Sequence, residues 1–314
     1  MDDATELNLM VQAAELYYEL DLTQHEIAEK LGVSRPKVSL LLTAARKQGI
    51  VRISVSHPVS RAGETGAELA ARYGLSEAVV VPVTTDDRTL LTMKIGSWAA
   101  RYLEDRLNSG ETLGIGRGRT VYQTVTHLEP RRHMNVTVVP LCGGEGSDLS
   151  EFQVNEMCRF AAQRLGGRCF FLHAPAKVLT LEAYRALMDL PEIEEVVRHW
   201  DNLDWILIGV GSTSIPWDPL YSKDIEAAQR YSSVRPVADL CLRLLDPNGR
   251  GIEFPRSDYL VGVTPEQIRS AKRVVGVAGG TYKADAILAA LRGRWLDTLI
   301  VDEPTARAIL HQDC

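Results

Sequence analysis

The amino-acid sequence predicts an α/β protein: a small N-terminal winged helix-turn-helix followed by a doubly wound, mostly parallel α/β domain. Three observations carry that prediction. Residues 23–51, TQHEIAEKLGVSRPKVSLLLTAARKQGIV, hold two short helical periodicities joined by a glycine-bearing turn. From Glu64 onward, wholly apolar runs of strand length alternate with amphipathic helical stretches, as a parallel sheet covered on both faces requires. Between them lies SHPVSRAG, residues 56–63, where proline and small polar residues interrupt both periodicities. With 314 residues the chain suits about two domains, expected at 1–56 and 57–314.

The head begins with Leu7, Met10, Val11, Ala14, Leu16 and Tyr17, a pattern that predicts a support helix. Thr23 and Glu26 form a T-x-x-E capping box at the start of the next helix. Ile27, Ala28 and Leu31 share one face of it. Ala28 is small enough to let two helices approach, and Gly32 can take the positive φ needed to leave the first. Ser34 is the expected N-cap of the second helix, with Pro36 in its first turn, where a missing N–H is tolerated. Val38, Leu41, Leu42 and Ala45 repeat at helical spacing, and Lys47-Gln48-Gly49 is the expected stop. Residues 50–55, IVRISV, alternate like a strand and suggest the wing.

In that arrangement Arg35, Lys37 and Ser39 lie in the first turns of a helix that would enter the major groove of DNA. Arg46, Lys47 and Arg52 lie further on, toward the phosphate backbone. Thr23, Ser34 and Pro36 complete the candidate DNA-contacting set. A solvated helical hairpin with surface charges would share much of this pattern, but the charge distribution argues against it. Residues 30–61 hold seven Lys or Arg and no acid, whereas residues 2–29 hold eight acids and no Lys or Arg.

A net charge of −6 is at odds with a protein that coats nucleic acid along its length. It fits a small basic reader joined to a larger acidic domain. A hydrophobic content of 45% is ample for a buried core. No apolar run approaches the ~20 residues needed to cross a bilayer, and the N-terminus is acidic rather than signal-like. A cytoplasmic protein with no membrane partner is therefore expected. The five cysteines lack C-x-x-C spacing and the seven histidines lack H-x-x-x-H pairing, so reduced thiols and no metal site are expected.

In the large domain, strands are expected at 78–83, 112–115, 136–141, 169–173, 205–210, 274–277 and 298–301. Helices are expected near 89–107, 121–128, 151–165, 179–188, 224–231, 283–291 and 305–310. Four of the strands end in glycine-bearing turns: GIGRGRT from Gly114, CGGEG from Cys142, GVGSTS from Gly209 and GVAGGTYK from Gly276. In an open α/β sheet, ligands bind beyond the carboxyl ends of the strands. Glycine there lets backbone N–H groups crowd an anion, and a helix N-terminus adds favourable partial charge. Arg117, Arg119, Thr120, Thr281 and Lys283 make a good inventory for a phosphate group. A single such turn often exists only to bend the chain; four on one sheet edge favour a phosphorylated ligand. None matches G-x-G-x-x-G or G-x-x-x-x-G-K-[ST], so neither a nicotinamide cofactor nor a nucleotide-hydrolysing loop is expected, and no cofactor is assigned.

The chain resembles the SorC family of transcriptional regulators over essentially its full length. The resemblance is carried by VSRPKVSLLLTAARKQGIVRI, by LGIGRGRTV and by VVGVAGGTYKADAILAALRGRWLDTLIVDEPTARAIL. It implies a helix-turn-helix joined to a sugar-binding domain whose sheet is similar to that of sugar-phosphate isomerases and glucosamine-phosphate deaminases. It also implies a phosphorylated sugar effector and a homo-oligomer, dimer or tetramer. Residue by residue, Gly116, Arg117, Gly118, Arg119 and Thr120 match the family's phosphate-cradling turn, and Lys283 matches a lysine after the late glycine pair. Asp239 matches an aspartate that faces the sugar; its structural alternative is an N-cap on residues 240–245. Gly211 and Ser212 join the candidate set from GVGSTS. Family members often carry tryptophan where Arg117 stands and glycine where Ala238 stands, which leaves the effector class open.

A sugar-phosphate isomerase or deaminase is the rival reading, because the same sheet supports such chemistry. Asp239, Glu145 and Asp148 are possible bases, but no paired acid and base motif is present, and no catalytic residue is assigned. A regulator responding to a plain sugar or polyol is the nearer alternative.

Overall fold

In the computed structural model the capping box closes at Thr23: Glu26 Oε2 accepts from the Thr23 N–H at 2.8 Å, and Thr23 Oγ1 accepts from the Glu26 N–H at 3.4 Å. This box opens α2 (Gln24–Leu31), which follows α1 (Asp3–Tyr18) and precedes α3 (Arg35–Lys47). Gly32 ends α2 at φ 64°, where a β-carbon would clash with its own backbone, and returns its N–H to the Ala28 carbonyl. The shared core is Met10, Ala13, Ala14, Ile27, Ala28, Val38, Leu41, Leu42 and Ala45. The expected stripe on α1 is corrected at one end: Leu7 is exposed, and Ala13 takes an inward position further along the helix.

The structure describes residues 3–47, 50–51, 62–83, 85–144, 153–214, 219–255 and 257–312. Gln48, Gly49 and residues 52–55 of the expected wing lie outside them, as do Glu145, Gly146 and Asp148. The chain divides into two units, Met1–Pro58 and Val59–Cys314.

Among its described residues the second unit holds ten strands. They are β1 (Glu77–Val81), β2 (Thr112–Ile115), β3 (Thr137–Pro140), β4 (Arg168–Cys169), β5 (Trp205–Gly209), β6 (Gly211–Ser212), β7 (Ala238–Leu240), β8 (Arg243–Leu245), β9 (Arg273–Val277) and β10 (Thr298–Asp302). Seven form a sheet in the order β1-β10-β9-β5-β2-β3-β4, with every pairing parallel. The remaining three, β6-β7-β8, form a small antiparallel sheet.

Alternation along the strands loads both faces. In β5, Ile206 and Ile208 enter one core, and Trp205 and Leu207 the other. The first core receives Leu69 of α4 (Ala62–Tyr73), Ile193 of α9 (Pro191–Trp200), Ile287 of α12 (Ala284–Arg292) and Ile309 of α13 (Glu303–Gln312). The second receives Ile95 of α5 (Arg88–Arg106), Val121 of α6 (Arg119–Thr126) and Met157 of α7 (Val154–Leu165). Each fully buried side chain of this size contributes about 1.5–3 kcal/mol, so both helix layers are held by burial rather than by helix propensity. The sheet is doubly wound. Helices α8 (Leu181–Met188), α10 (Pro219–Tyr231) and α11 (Pro265–Ser270) also belong to the unit.

One strand is shorter than its apolar run predicts. The run at 169–173 is a strand only as far as Cys169: the Phe170 N–H still donates to the Val138 carbonyl at 3.0 Å, and beyond it the Asn155 side chain holds the backbone of Leu172. Asn155 Oδ1 accepts from the Leu172 N–H at 3.0 Å, and its Nδ2 donates to the Leu172 carbonyl at 3.1 Å. No helix among the described residues is long and apolar enough to cross a membrane.

Candidate functional site

The four glycine-bearing turns follow β2, β3, β5 and β9. Those strands are contiguous in the sheet, and all are parallel, so the turns leave from one edge. The turns also touch one another. Lys283 Nζ donates to the Val210 carbonyl at 2.8 Å, joining the turn after β9 to the turn after β5. The Gly116 N–H donates to the Leu207 carbonyl at 2.9 Å, joining the turn after β2 to β5. Gly116 is tightly packed: a β-carbon there would stand 3.0 Å from Ile208 Cγ2 and 3.2 Å from Cys241 Sγ, so that a neighbour would have to give by a few tenths of an ångström.

The small sheet brings in the carboxylate. Gly211 of β6 pairs with Asp239 of β7, and Ser212 pairs with Ala238. Asp239 is therefore a strand residue, and the N-cap alternative is corrected: residues 240–245 form a hairpin whose tip is Cys241 and Leu242. Both tip residues have positive φ, 46° and 73°, the pair of values a two-residue hairpin of this hand needs. The Ser212 hydroxyl shares a 2.7 Å hydrogen bond with Ser214.

Electrostatics tie the set together. Lys283 as a residue is only half-buried, but its ammonium is the enclosed end. Burial pushes that ammonium down to about 8, Arg119 and Arg88 push the same way, and Asp239 opposes them. Cys142, just beyond β3, is influenced by Arg117 and Asp239. Arg117, Arg119, Lys283 and Asp239 thus share one neighbourhood. Burial raises the Cys142 thiol to about 11 and the Cys241 thiol well above its ordinary value, so both stay protonated at neutral pH and serve as packing.

Two residues here carry no sequence-level signal. Arg88 begins α5, lies 4.6 Å over the Tyr282 ring and adds a fourth cation beside Lys283. Asp302, almost fully buried at the end of β10, accepts from the Gly280 N–H at 2.8 Å, the Thr305 N–H at 3.1 Å and Thr305 Oγ1 at 2.8 Å. It holds the glycine pair in place and caps α13 at once. Asp302→Ala leaves buried donors without their acceptor and is expected to cost about 3 kcal/mol, read as a lowered urea midpoint.

Gly118 (φ 133°) precedes α6 as its N-cap and brings no side-chain cap, and Thr120 is buried in the first turn. The leading N–H groups of α6 therefore face the edge where the cations gather, which suits an anion. Among the described residues, no group of three or more His, Cys, Asp or Glu could hold a metal ion.

On the first unit, Thr23, Ser34, Arg35, Pro36, Ser39 and Arg46 are exposed and Lys37 is half-buried. Ser34 Oγ accepts from the Lys37 N–H at 3.4 Å, a long bond at the start of α3. Lys47 closes α3, and its side chain lies outside the described set.

A compact helix-turn-helix in one unit and a doubly wound sheet with a cationic strand edge in the other are the architecture of a transcriptional regulator. Comparison with known proteins agrees. Residues 57–311 match the family model Sugar-bind, described as "Putative sugar-binding domain". The chain is 30% identical over 318 residues to the sorbitol operon regulator of Klebsiella pneumoniae, an alignment covering 99% of this chain and 100% of that one. It is 30% identical over 316 residues to the deoxyribonucleoside regulator of Bacillus subtilis, covering 98% and 99%. The crystal structure of the full-length sorbitol operon regulator SorC from Klebsiella pneumoniae superposes with a TM-score of 0.75 at 29% identity, covering 98% of this chain and 99% of that one. This chain belongs to the SorC family of transcriptional regulators. These relatives are regulators, not enzymes.

Proposed function

We propose that this protein is a cytoplasmic, homo-oligomeric regulator of carbohydrate metabolism that binds operator DNA through residues 1–56 and a phosphorylated sugar through residues 57–314. The observation that carries the reading is the gathering of Arg117, Arg119 and Lys283 beside Asp239, on the edge shared by four glycine-bearing turns. Gly118, Arg119 and Thr120 offer N–H groups and charge to the phosphate, Gly116, whose N–H is held by the Leu207 carbonyl, lets the turn pass close to it, and Arg117 and Lys283 neutralise it. Asp239 accepts from sugar hydroxyls, with Gly211 and Ser212 beside it. Relatives named for sorbitol and for deoxyribonucleosides support a polyhydroxylated effector.

On DNA, Arg35, Lys37 and Ser39 read base edges from the first turns of α3, with Ser34 and Pro36 setting its entry. Thr23, Arg46 and Lys47 contact phosphates. Effector binding alters the grip only if the ligand prefers one state of the protein over the other.

The test is a thermal-shift screen of the full chain against phosphorylated and plain sugars. A ligand at ~100 times its dissociation constant adds about 2.7 kcal/mol of stability. Response to phosphorylated sugars alone supports the reading. Response only to unphosphorylated polyols overturns the phosphate assignment, and turnover of a phosphosugar overturns the regulator.

A further inference from the structure

The outward face of α3 is apolar at its centre. Leu40 is 67% exposed, among the most exposed large apolar side chains described. Val38, Leu41, Leu42 and Ala45 mark the buried stripe. At about 100° per residue, the direction opposite that stripe falls between Thr43, Pro36 and Leu40, with Leu40 within about 30° of it. Pro36, Leu40 and Thr43 stand at i, i+4 and i+7, and all three are exposed. The Thr43 hydroxyl is already engaged, donating to the Ser39 carbonyl at 2.9 Å. This narrow apolar strip is flanked by Arg35, Ser39 and Arg46 on one side and by Lys37 on the other.

A leucine so placed contributes nothing to the core of its own unit. Its surroundings are cationic, which favours a polyanion over an apolar protein partner. In the major groove of B-DNA the apolar group on offer is the C5-methyl of thymine. We infer that Leu40 reads thymine, seating its side chain on one or two C5-methyl groups in each half-site, while the flanking polar residues hold neighbouring bases and phosphates. This rests on the DNA-reading assignment of α3 and adds to it a residue that selects sequence by apolar contact.

The experiment first selects duplexes from a randomised pool with the full-length protein. The best duplex is then remade with deoxyuridine replacing thymine at one position at a time. Deoxyuridine keeps the pairing edge and the O4 acceptor and removes only the methyl group. The wild type is expected to lose about fourfold in affinity at one or two positions per half-site, the equivalent of one methyl group returned to water. Leu40→Ala is expected to weaken the thymine duplex and to be indifferent to deoxyuridine at those same positions, a non-additive cycle. Because Leu40 is exposed, the variant keeps its fold, which an unchanged melting temperature checks. Equal losses for wild type and Leu40→Ala at every position overturn the inference while leaving DNA reading intact. A changed oligomeric state in Leu40→Ala with unchanged DNA affinity overturns it in favour of an interface between copies. Failure of the wild type to enrich any sequence sinks the inference and the DNA-reading assignment together.

Discussion

Lys283→Met weakens phosphosugar binding by roughly 10–100-fold, the worth of one charge-assisted hydrogen bond in an enclosed site. Methionine keeps the length of the stem and removes only the cation, so the loss reports charge rather than packing. DNA binding without effector is expected to be unchanged. Isothermal titration on the full chain measures the first, and a mobility assay the second. An unchanged phosphosugar affinity would remove Lys283 from the site.

The same lysine sets a pH dependence. Its folded-state value lies at about 8, below the ordinary 10.5, because burial disfavours the ammonium and Arg119 and Arg88 repel it. A bound phosphate restores the charge. The contribution of Lys283 to affinity is therefore constant below about pH 8 and falls above it, and binding takes up a proton there. Titrations in two buffers of different ionisation enthalpy at pH ~9 should reveal that proton, and Lys283→Met should abolish it. The sign for folding follows from the same shift. Between about 8 and 10.5 the unfolded chain holds a proton that the folded chain has released. Unliganded stability therefore gains from this group as pH rises through that window, and the penalty is complete below it.

The second large effect is on DNA. Arg35→Ala with Lys37→Ala is expected to lower operator affinity by roughly 100-fold, because the start of a recognition helix is where base edges and phosphates are held. The slope of log affinity against log salt should fall by about one for each phosphate that the variant no longer neutralises. Phosphosugar binding should not change. A measured operator affinity equal to the wild type would mean that α3 assembles the protein rather than reading DNA.

Much of the head was legible because its signals are local. The Thr23–Glu26 box and the left-handed Gly32 each involve residues within a few positions of one another, and both form. The strand β2 was legible to the residue, since its apolar run is bounded by turn residues on both sides. The run at 169–173 was not, because its pairing is cut short by Asn155 across the chain. Asp239 was ambiguous for a similar reason: whether it caps a helix or lies in a hairpin depends on β8 and β6, which pair with it from either side.

Periodicity and capping chemistry are short-range, so residue order alone located the Thr23–Glu26 box, the bend at Gly32 and strand β2, while α4, α9, α11 and the β6-β7-β8 sheet carried too weak a local pattern to be placed. Strand order is long-range. It was the sheet that set β5 between β9 and β2, brought Lys283 against Val210, and delivered Arg88 and Asp302 to the glycine turns. Those neighbours lie far apart along the chain, and their meeting is governed by how apolar faces stack and pair, not by any pattern written in one stretch of sequence.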